Sequence, residues 1–301
     1  MKAVLLGGSG FIGAHLSKAL AEAGHEVMAY DYRKPVLSPQ WPDVRYVEGD
    51  LLASDTSQLA EILHDADVVF YLAWRFLPAD SNRHMVPDVQ SNLLGGLRVL
   101  KSCVISGVRR VVFFSSGGTI YGPAQVLPIL ETHPTEPRTS HAILKLAMEK
   151  YLALFDQAHG LDYVILRPSN PFGRYQNPEG GQGVIAAFLA RMAAGQPLEV
   201  WGDGSVVRDY FHVSDLVQAA LLAGATPHSR TVYNVGSGAG YSIKQIIATL
   251  EQLVGHDIAV CWHPGRSVDV PVNVLDISKA RRLLGWSPQL SFVEGLRLAL
   301  P

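Results

Sequence analysis

The glycine cluster at the amino terminus constrains the fold more than any other stretch of this chain. An apolar run, Ala3 to Leu6, leads into Gly7-Gly8-Ser9-Gly10-Phe11-Ile12-Gly13. Leu16, Ala19, Leu20 and Ala23 then recur at helical spacing, and Gly24 supplies a stop. A second apolar run, Val27 to Tyr30, closes on Asp31. This is strand, tight turn, helix, strand: a βαβ unit. Gly7, Gly10 and Gly13 permit a sharp turn, close backbone approach to a pyrophosphate, and tight packing of helix on strand. The helix N-terminus offers free N–H groups and the positive end of its dipole to phosphate. Asp31 stands where a carboxylate accepts hydrogen bonds from a ribose 2′-OH and repels a 2′-phosphate. The pattern implies a dinucleotide, NAD in preference to NADP, with Arg33 close enough to moderate that preference.

Composition narrows the partners. A chain of 301 residues, 48% of them hydrophobic, can bury a large core. A formal net charge of −2, without any block of Lys or Arg, gives no long-range pull on nucleic acid or an acidic membrane. No apolar run reaches membrane-spanning length. The amino terminus enters a strand directly, so no signal peptide is expected. Cys103 and Cys261 lie far apart and read as reduced thiols. The histidines show no metal-ligand spacing with Cys or carboxylates, so no metal is expected. These features together predict a cytoplasmic enzyme without nucleic-acid or membrane partners.

Further along, strand-like runs alternate with helical ones. Val44–Val47, Ala66–Ala73, Val111–Phe114 and Tyr163–Leu166 read as strands. Helices are expected around Leu59–Leu63, over Val89–Val104, and from His141 to about His159, with Gly160 as a stop. The alternation predicts an α/β fold, a Rossmann-type doubly wound parallel sheet whose strand carboxyl ends share one ligand-binding edge. Past Pro168 the texture changes to Gly, Pro and Asn. Residues 1–170 are read as the dinucleotide-binding domain, with segments near 205–238 returning to it. Residues 171–301 are read as a smaller α/β substrate domain. Within it, Gly202-Asp203-Gly204 suggests a hairpin turn, Ser214 a helix N-cap, and Ile277–Leu284 the final helix.

Many short motifs, in order, resemble the extended short-chain dehydrogenase/reductases, and in particular nucleotide-sugar epimerases of the UDP-glucose 4-epimerase type. They are the glycine cluster; Gly49-Asp50-Leu51; Asn92; Ser115-Ser116 with Tyr121-Gly122; Lys145 through Glu149; Arg167-Pro168-Ser169-Asn170; Gly202-Asp203-Gly204 with Arg208-Asp209; Asn234 through Gly238; and Arg266 through Asp269. The resemblance implies bound NAD and a nucleotide-sugar substrate, a UDP-sugar first. Asp50 and Leu51 would hold the adenine end. The Leu72 backbone and Ala73 would line the nicotinamide side, with Asn92 supporting that wall. Phe11, Ile12, Ser115, Lys145 and Pro168 would complete the cofactor set. Asn170 would contact substrate, Arg208 and Arg266 would grip its diphosphate as two forks of donors, and Asp269 joins that set. A surface ion pair with Asp209 is the alternative for Arg208. The family's pairing through two long helices implies a homodimer.

The chain departs from the family at the reacting groups. Lys145 is present, but four residues before it stands His141 rather than tyrosine, and Gly117 stands where the family has Ser or Thr. Ser116 and Thr119 are the nearest hydroxyls. In one reading His141 replaces tyrosine as acid/base, kept neutral by neighbouring positive charge, with Thr119 or Ser116 on the sugar hydroxyl. In the other, the fold binds NAD and a sugar nucleotide with little turnover. Gly118-Thr119 offers no acid where family dehydratases carry an Asp-Glu pair, which favours epimerisation through a transient keto sugar. An NAD(P)-dependent sugar-nucleotide reductase is the alternative enzyme.

Overall fold

The computed structural model describes residues 1–51, 53–180, 183–265 and 270–300. Its main sheet contains β1 (Lys2–Leu6), β2 (Glu26–Asp31), β3 (Val44–Glu48), β4 (Val68–Tyr71), β5 (Arg110–Phe114), β6 (Asp162–Pro168) and the strand Thr231–Val235. All pair in parallel. Across the sheet the order is Thr231–Val235, β6, β5, β4, β1, β2, β3. The chain moves outward from β1 through β2 and β3, then restarts at β4 on the other side of β1. That reversal leaves a crevice at the carboxyl ends of β1 and β4, where ligands bind in doubly wound sheets.

A sheet covered on both faces needs apolar side chains on both. Ala3 and Leu5 of β1 face one core, shared with Leu16 and Leu20 of the helix Phe11–Glu22. Val4 and Leu6 face the other, shared with Leu59, Leu100 and Met148. The carboxyl-terminal part builds a separate core from Phe172, Phe188, Leu198, Ile246, Leu250 and Phe292.

Several local expectations are corrected. The helix expected over Val89–Val104 begins with a π-helical turn, Val89–Leu94, and becomes α-helical only over Gly95–Ile105. Gly202 and Gly204 both take positive φ, but they close no hairpin. The strand before them, Leu198–Trp201, pairs in parallel with Val260–His263, while Val207–Arg208 joins a different small sheet. The helix Val213–Ala225 is capped by His212, whose ring nitrogen accepts from Ser214 N–H, so Ser214 lies inside the first turn. Ile277–Leu284 contains a π-helical segment, Ala280–Leu284, and is not the last helix. Phe292–Ala299 follows, started by a reciprocal capping box between Ser291 and Glu294.

The helix Ser140–His159 is fastened to β6 by a buried ion pair. Arg167 Nε and Nη2 donate to Glu149 Oε1 and Oε2 at 3.0 and 2.5 Å, and both side chains are buried. Arg167 Nη1 donates to Tyr121 Oη at 2.8 Å, and Tyr121 Oη donates to Asn234 Oδ1 at 2.6 Å. Glu149→Gln would keep the volume but leave a buried guanidinium without its counter-charge. Breaking such a pair costs about 3–5 kcal/mol, so the thermal unfolding midpoint is expected to fall by on the order of 10 °C. A midpoint within about 2 °C of the parent would show that this pair does not fasten the helix.

Candidate active site

The glycine loop meets the end of β4 backbone to backbone. Gly7 has φ of +90°, and a Cβ there would lie 2.6 Å from Ala73 N. Leu72 N–H and Ala73 N–H both donate to Leu6 O, at 2.9 and 2.8 Å. A Cβ on Gly13 would collide with the Gly7 carbonyl, and one on Gly8 would sit 2.6 Å from Ala29 Cβ. The helix Phe11–Glu22 starts at Gly10 with no side-chain cap. Its first-turn N–H groups, around Phe11, Ile12 and Gly13, thus have no intrahelical partner and suit an anionic group. Asp31 Oδ2 accepts from Ser9 N–H at 3.0 Å, and Oδ1 from Tyr32 N–H at 2.8 Å. Burial raises the Asp31 pKa, and these two bonds oppose the rise. Glycine loop, acid and β4 terminus therefore form one cradle that fits a dinucleotide. Asp50 is exposed and Leu51 packs partly under the edge.

His141 and Lys145 project from the same face of the helix Ser140–His159, beside Trp74. His141 Nδ1 lies 2.9 Å from Phe76 O. A carbonyl only accepts, so Nδ1 carries the proton and Nε2 keeps the lone pair. Lys145 Nζ donates to Phe114 O at 2.6 Å and lies 3.8 Å from the centre of the Trp74 ring. The same indole meets His141 edge-on at 5.7 Å between ring centres. Burial pushes Lys145 down to about 7, with Glu149 drawing it back up. Burial and then the Lys145 charge push His141 down to about 4, against the pull of the Phe76 bond. The arrangement is a neutral imidazole base next to an amine that changes charge near neutral pH.

The packing leaves no room for a side chain at position 117. A Cβ on Gly117 would lie 2.5 Å from Leu275 Cδ1 and 2.9 Å from Arg167 O. Thr119 Oγ1 donates to Ser116 Oγ at 2.9 Å, which leaves the Ser116 proton available for a ligand. Ser115 is buried and its Oγ donates to Glu149 Oε1. Pro168 O accepts from Gly117 N–H at 2.8 Å, tying this turn to the end of β6.

The residues expected at substrate are less tightly gathered. Asn170 Nδ2 donates to Asp209 O at 3.3 Å. Arg208 Nη1 donates to Val207 O and Val270 O at 2.9 and 2.6 Å. Asp209 is fully buried and accepts from Ser237 N and Oγ, Gly238 N and Leu275 N, so a surface pair with Arg208 is excluded. Arg266 and Asp269 lie outside the described residues. Asn92 is buried, and its Oδ1 accepts from Arg75 N–H at 3.0 Å, one residue beyond Trp74. Sequence reasoning named Glu149 without a role and passed over Asp88 and the Phe76 carbonyl. The spacing of Asp88 and Asn92, one helical turn apart, was the available signal for Asp88.

The chain matches the NAD dependent epimerase/dehydratase family over residues 3–236. It is 33% identical to a UDP-glucose 4-epimerase of Mycolicibacterium smegmatis, over 98% of this chain and 96% of that protein. Among solved structures, the UDP-glucose 4-epimerase of Thermotoga maritima with UDP-glucose superposes with a TM-score of 0.94 at 35% identity, covering 99% of this chain and 97% of that one. The UDP-glucose 4-epimerase of Thermus thermophilus in complex with NAD gives 0.90 at 32% identity, with coverage of 99% and 97%.

The buried imidazole has a pH signature. An unfolded histidine charges near 6.5, whereas His141 in the fold charges only near 4. Between these values the unfolded state binds more protons, so the stability present above pH 6.5 is lost as pH falls through that window. The unfolding midpoint should decline from pH 6.5 to 4, and less steeply in His141→Phe. His212, also lowered to about 4 by burial and then by His15, adds to the same decline. An NMR titration should find the His141 ring neutral down to about pH 4; an inflection at its ordinary value would contradict the buried placement.

Proposed function

The chain belongs to the NAD dependent epimerase/dehydratase family, and from that premise we propose that it is an NAD-dependent nucleotide-sugar epimerase acting on carbon 4 of a UDP-hexose. The observation that carries the chemistry is the hydrogen bond between His141 Nδ1 and Phe76 O. It leaves Nε2 as a base beside Lys145, at the edge where the cofactor cradle ends.

In this reading Gly7, Gly10, Phe11, Ile12 and Gly13 would hold the pyrophosphate of NAD, and Asp31 its adenosine ribose. Asp50 and Leu51 serve its adenine end, and Leu72, Ala73, Asn92, Ser115 and Pro168 its nicotinamide end. When bound, NAD would supply reversible hydride acceptance at the sugar carbon. His141 Nε2 takes the hydroxyl proton and gives it back to the epimeric alkoxide. Ser116 Oγ, primed by Thr119, holds the sugar oxygen. Burial, and after it the Lys145 charge, keeps the imidazole neutral, and in its charged form Lys145 favours negative charge developing on the sugar oxygen. Asn170 and Arg208 hold the sugar nucleotide between residues 1–170 and the 171–301 lobe, with Arg266 and Asp269 assigned to the same task.

One observation favours a second reading, a sugar-nucleotide-binding protein with little turnover: the packing around Gly117 excludes the family's hydroxyl side chain. Incubation with a panel of UDP-, GDP- and dTDP-sugars, followed by NMR, separates the readings. A new epimer supports the epimerase. Net oxidation or reduction of sugar points to a reductase. Silence across the panel, with NAD bound, selects the binding protein. His141→Phe is expected to slow turnover by on the order of 10²–10⁴, and an unchanged rate removes His141 from the chemistry.

NAD should raise the thermal midpoint in a concentration-dependent manner, and NADP should do so only at higher concentration. Asp31→Ala is expected to narrow that gap; equal response of the parent to both nucleotides contradicts the role of Asp31. We further propose a homodimer through the faces bearing exposed Leu94 and Ile105 on one side and Ile143 and Leu154 on the other. Sedimentation should give twice the mass of one chain.

A further inference from the structure

Asp88 ends the short helix Met85–Asp88 and is 0% exposed. Its Oδ2 accepts from Ser140 Oγ at 2.6 Å, and its Oδ1 accepts from Asn92 Nδ2 at 2.6 Å. Asn92 Oδ1 accepts from Arg75 N–H at 3.0 Å. Ser140 immediately precedes His141, and Arg75 immediately precedes Phe76, whose carbonyl accepts from His141 Nδ1. The two arms from Asp88 therefore meet again at His141. One arm fixes its backbone, and the other fixes the acceptor for its ring. Ser140 N–H is tied as well, donating to Asn82 Oδ1 at 2.8 Å.

From this closed ring we infer that Asp88 is a positioning residue that holds His141 in the tautomer with Nδ1–H and a free Nε2. The inference deepens the epimerase reading and depends on it for its kinetic consequence. Both neighbours point their donors at Asp88, Ser140 Oγ at Oδ2 and Asn92 Nδ2 at Oδ1. That sets the Asn92 amide with its oxygen toward Arg75 N–H, which in turn sets the loop carrying the Phe76 carbonyl. A role limited to joining helices would need Ser140 alone. The second arm, through Asn92 to the residue before Phe76, has its effect on the ring of His141. Without Asp88 the amide is free to turn, the carbonyl loses its place, and Nδ1 and Nε2 compete for the proton. Only the fraction with an unprotonated Nε2 is then competent, and that ring is less firmly aimed.

The test uses the full chain with ¹⁵N-labelled histidine. In the parent, His141 should show a protonated Nδ1 and an unprotonated Nε2. In Asp88→Ala the two nitrogens should move toward averaged shifts, and kcat should fall on the order of 10²-fold with KM within about threefold. Asp88→Asn keeps an acceptor for Asn92 and offers Ser140 Oγ a donor, so the ring can close and most of the tautomer signature should return. Ser140→Ala removes a single bond without emptying the site, and should give a smaller shift of the same kind if Asp88→Ala does not fold. Parent-like His141 shifts in the alanine variants would overturn the inference. Failure of the epimerase reading would look different: the parent would not turn over any sugar nucleotide, and the tautomer measurement would still decide the role of Asp88.

Discussion

The ligand edge depends on the approach of Gly7 to the backbone of Leu72 and Ala73. Leu6 O accepts from both of those N–H groups, so β4 does not simply pair with β1 but ends on it. No side chain fits between them. Because the turn is that tight, the helix Phe11–Glu22 starts directly behind the sheet, and its uncapped amino end points across the crevice. The same crowding recurs at Gly13 and Gly8, so the loop is defined by the space it lacks. Asp31 then closes the cradle from the β2 side through Ser9 N–H. A groove whose backbone is packed and hydrogen-bonded in this way needs less ordering when a ligand binds.

The second anchor is the helix Ser140–His159. Its middle is fastened to β6 through Glu149 and Arg167, and its first turn to the preceding loops through Asn82, Asp88 and Phe76. His141 and Lys145 sit between these two fixed points. Buried polar networks specify geometry only when their members are satisfied, and here Glu149, Arg167, Asp88, Asn92 and Ser140 all have partners. Trp74 and Phe113 pack against Lys145 Nζ, part of the burial that lowers its pKa.

Much of this was legible in the sequence. The parallel sheet followed from apolar runs separated by helical periodicity, and the cradle from glycines in register with Asp31, because both are local patterns. The misreadings share a cause. Gly202 and Gly204 do turn the chain, but what a turn connects is decided by distant strands such as Val260–His263. Ser214 looked like a cap because a hydroxyl is the commoner acceptor, whereas the His212 ring was already in place. The helix Phe292–Ala299 was announced by Ser291 and Glu294 and was overlooked. At the site, the acceptors that define His141 and Lys145 are the carbonyls of Phe76 and Phe114. Backbone atoms carry no residue identity, so no motif could have revealed them.

Gly117 and Leu275 constrain each other. The Leu275 side chain that packs against it is fully buried, and the carbonyl of Arg167 closes the other side. A mutation of Gly117 alone to serine would meet both. A hydroxyl side chain at 117 therefore requires a smaller residue at 275 as well, and shortening Leu275 by itself would open a hole in the core. Positions 117 and 275 are coupled through that contact, so the effects of changing them do not add.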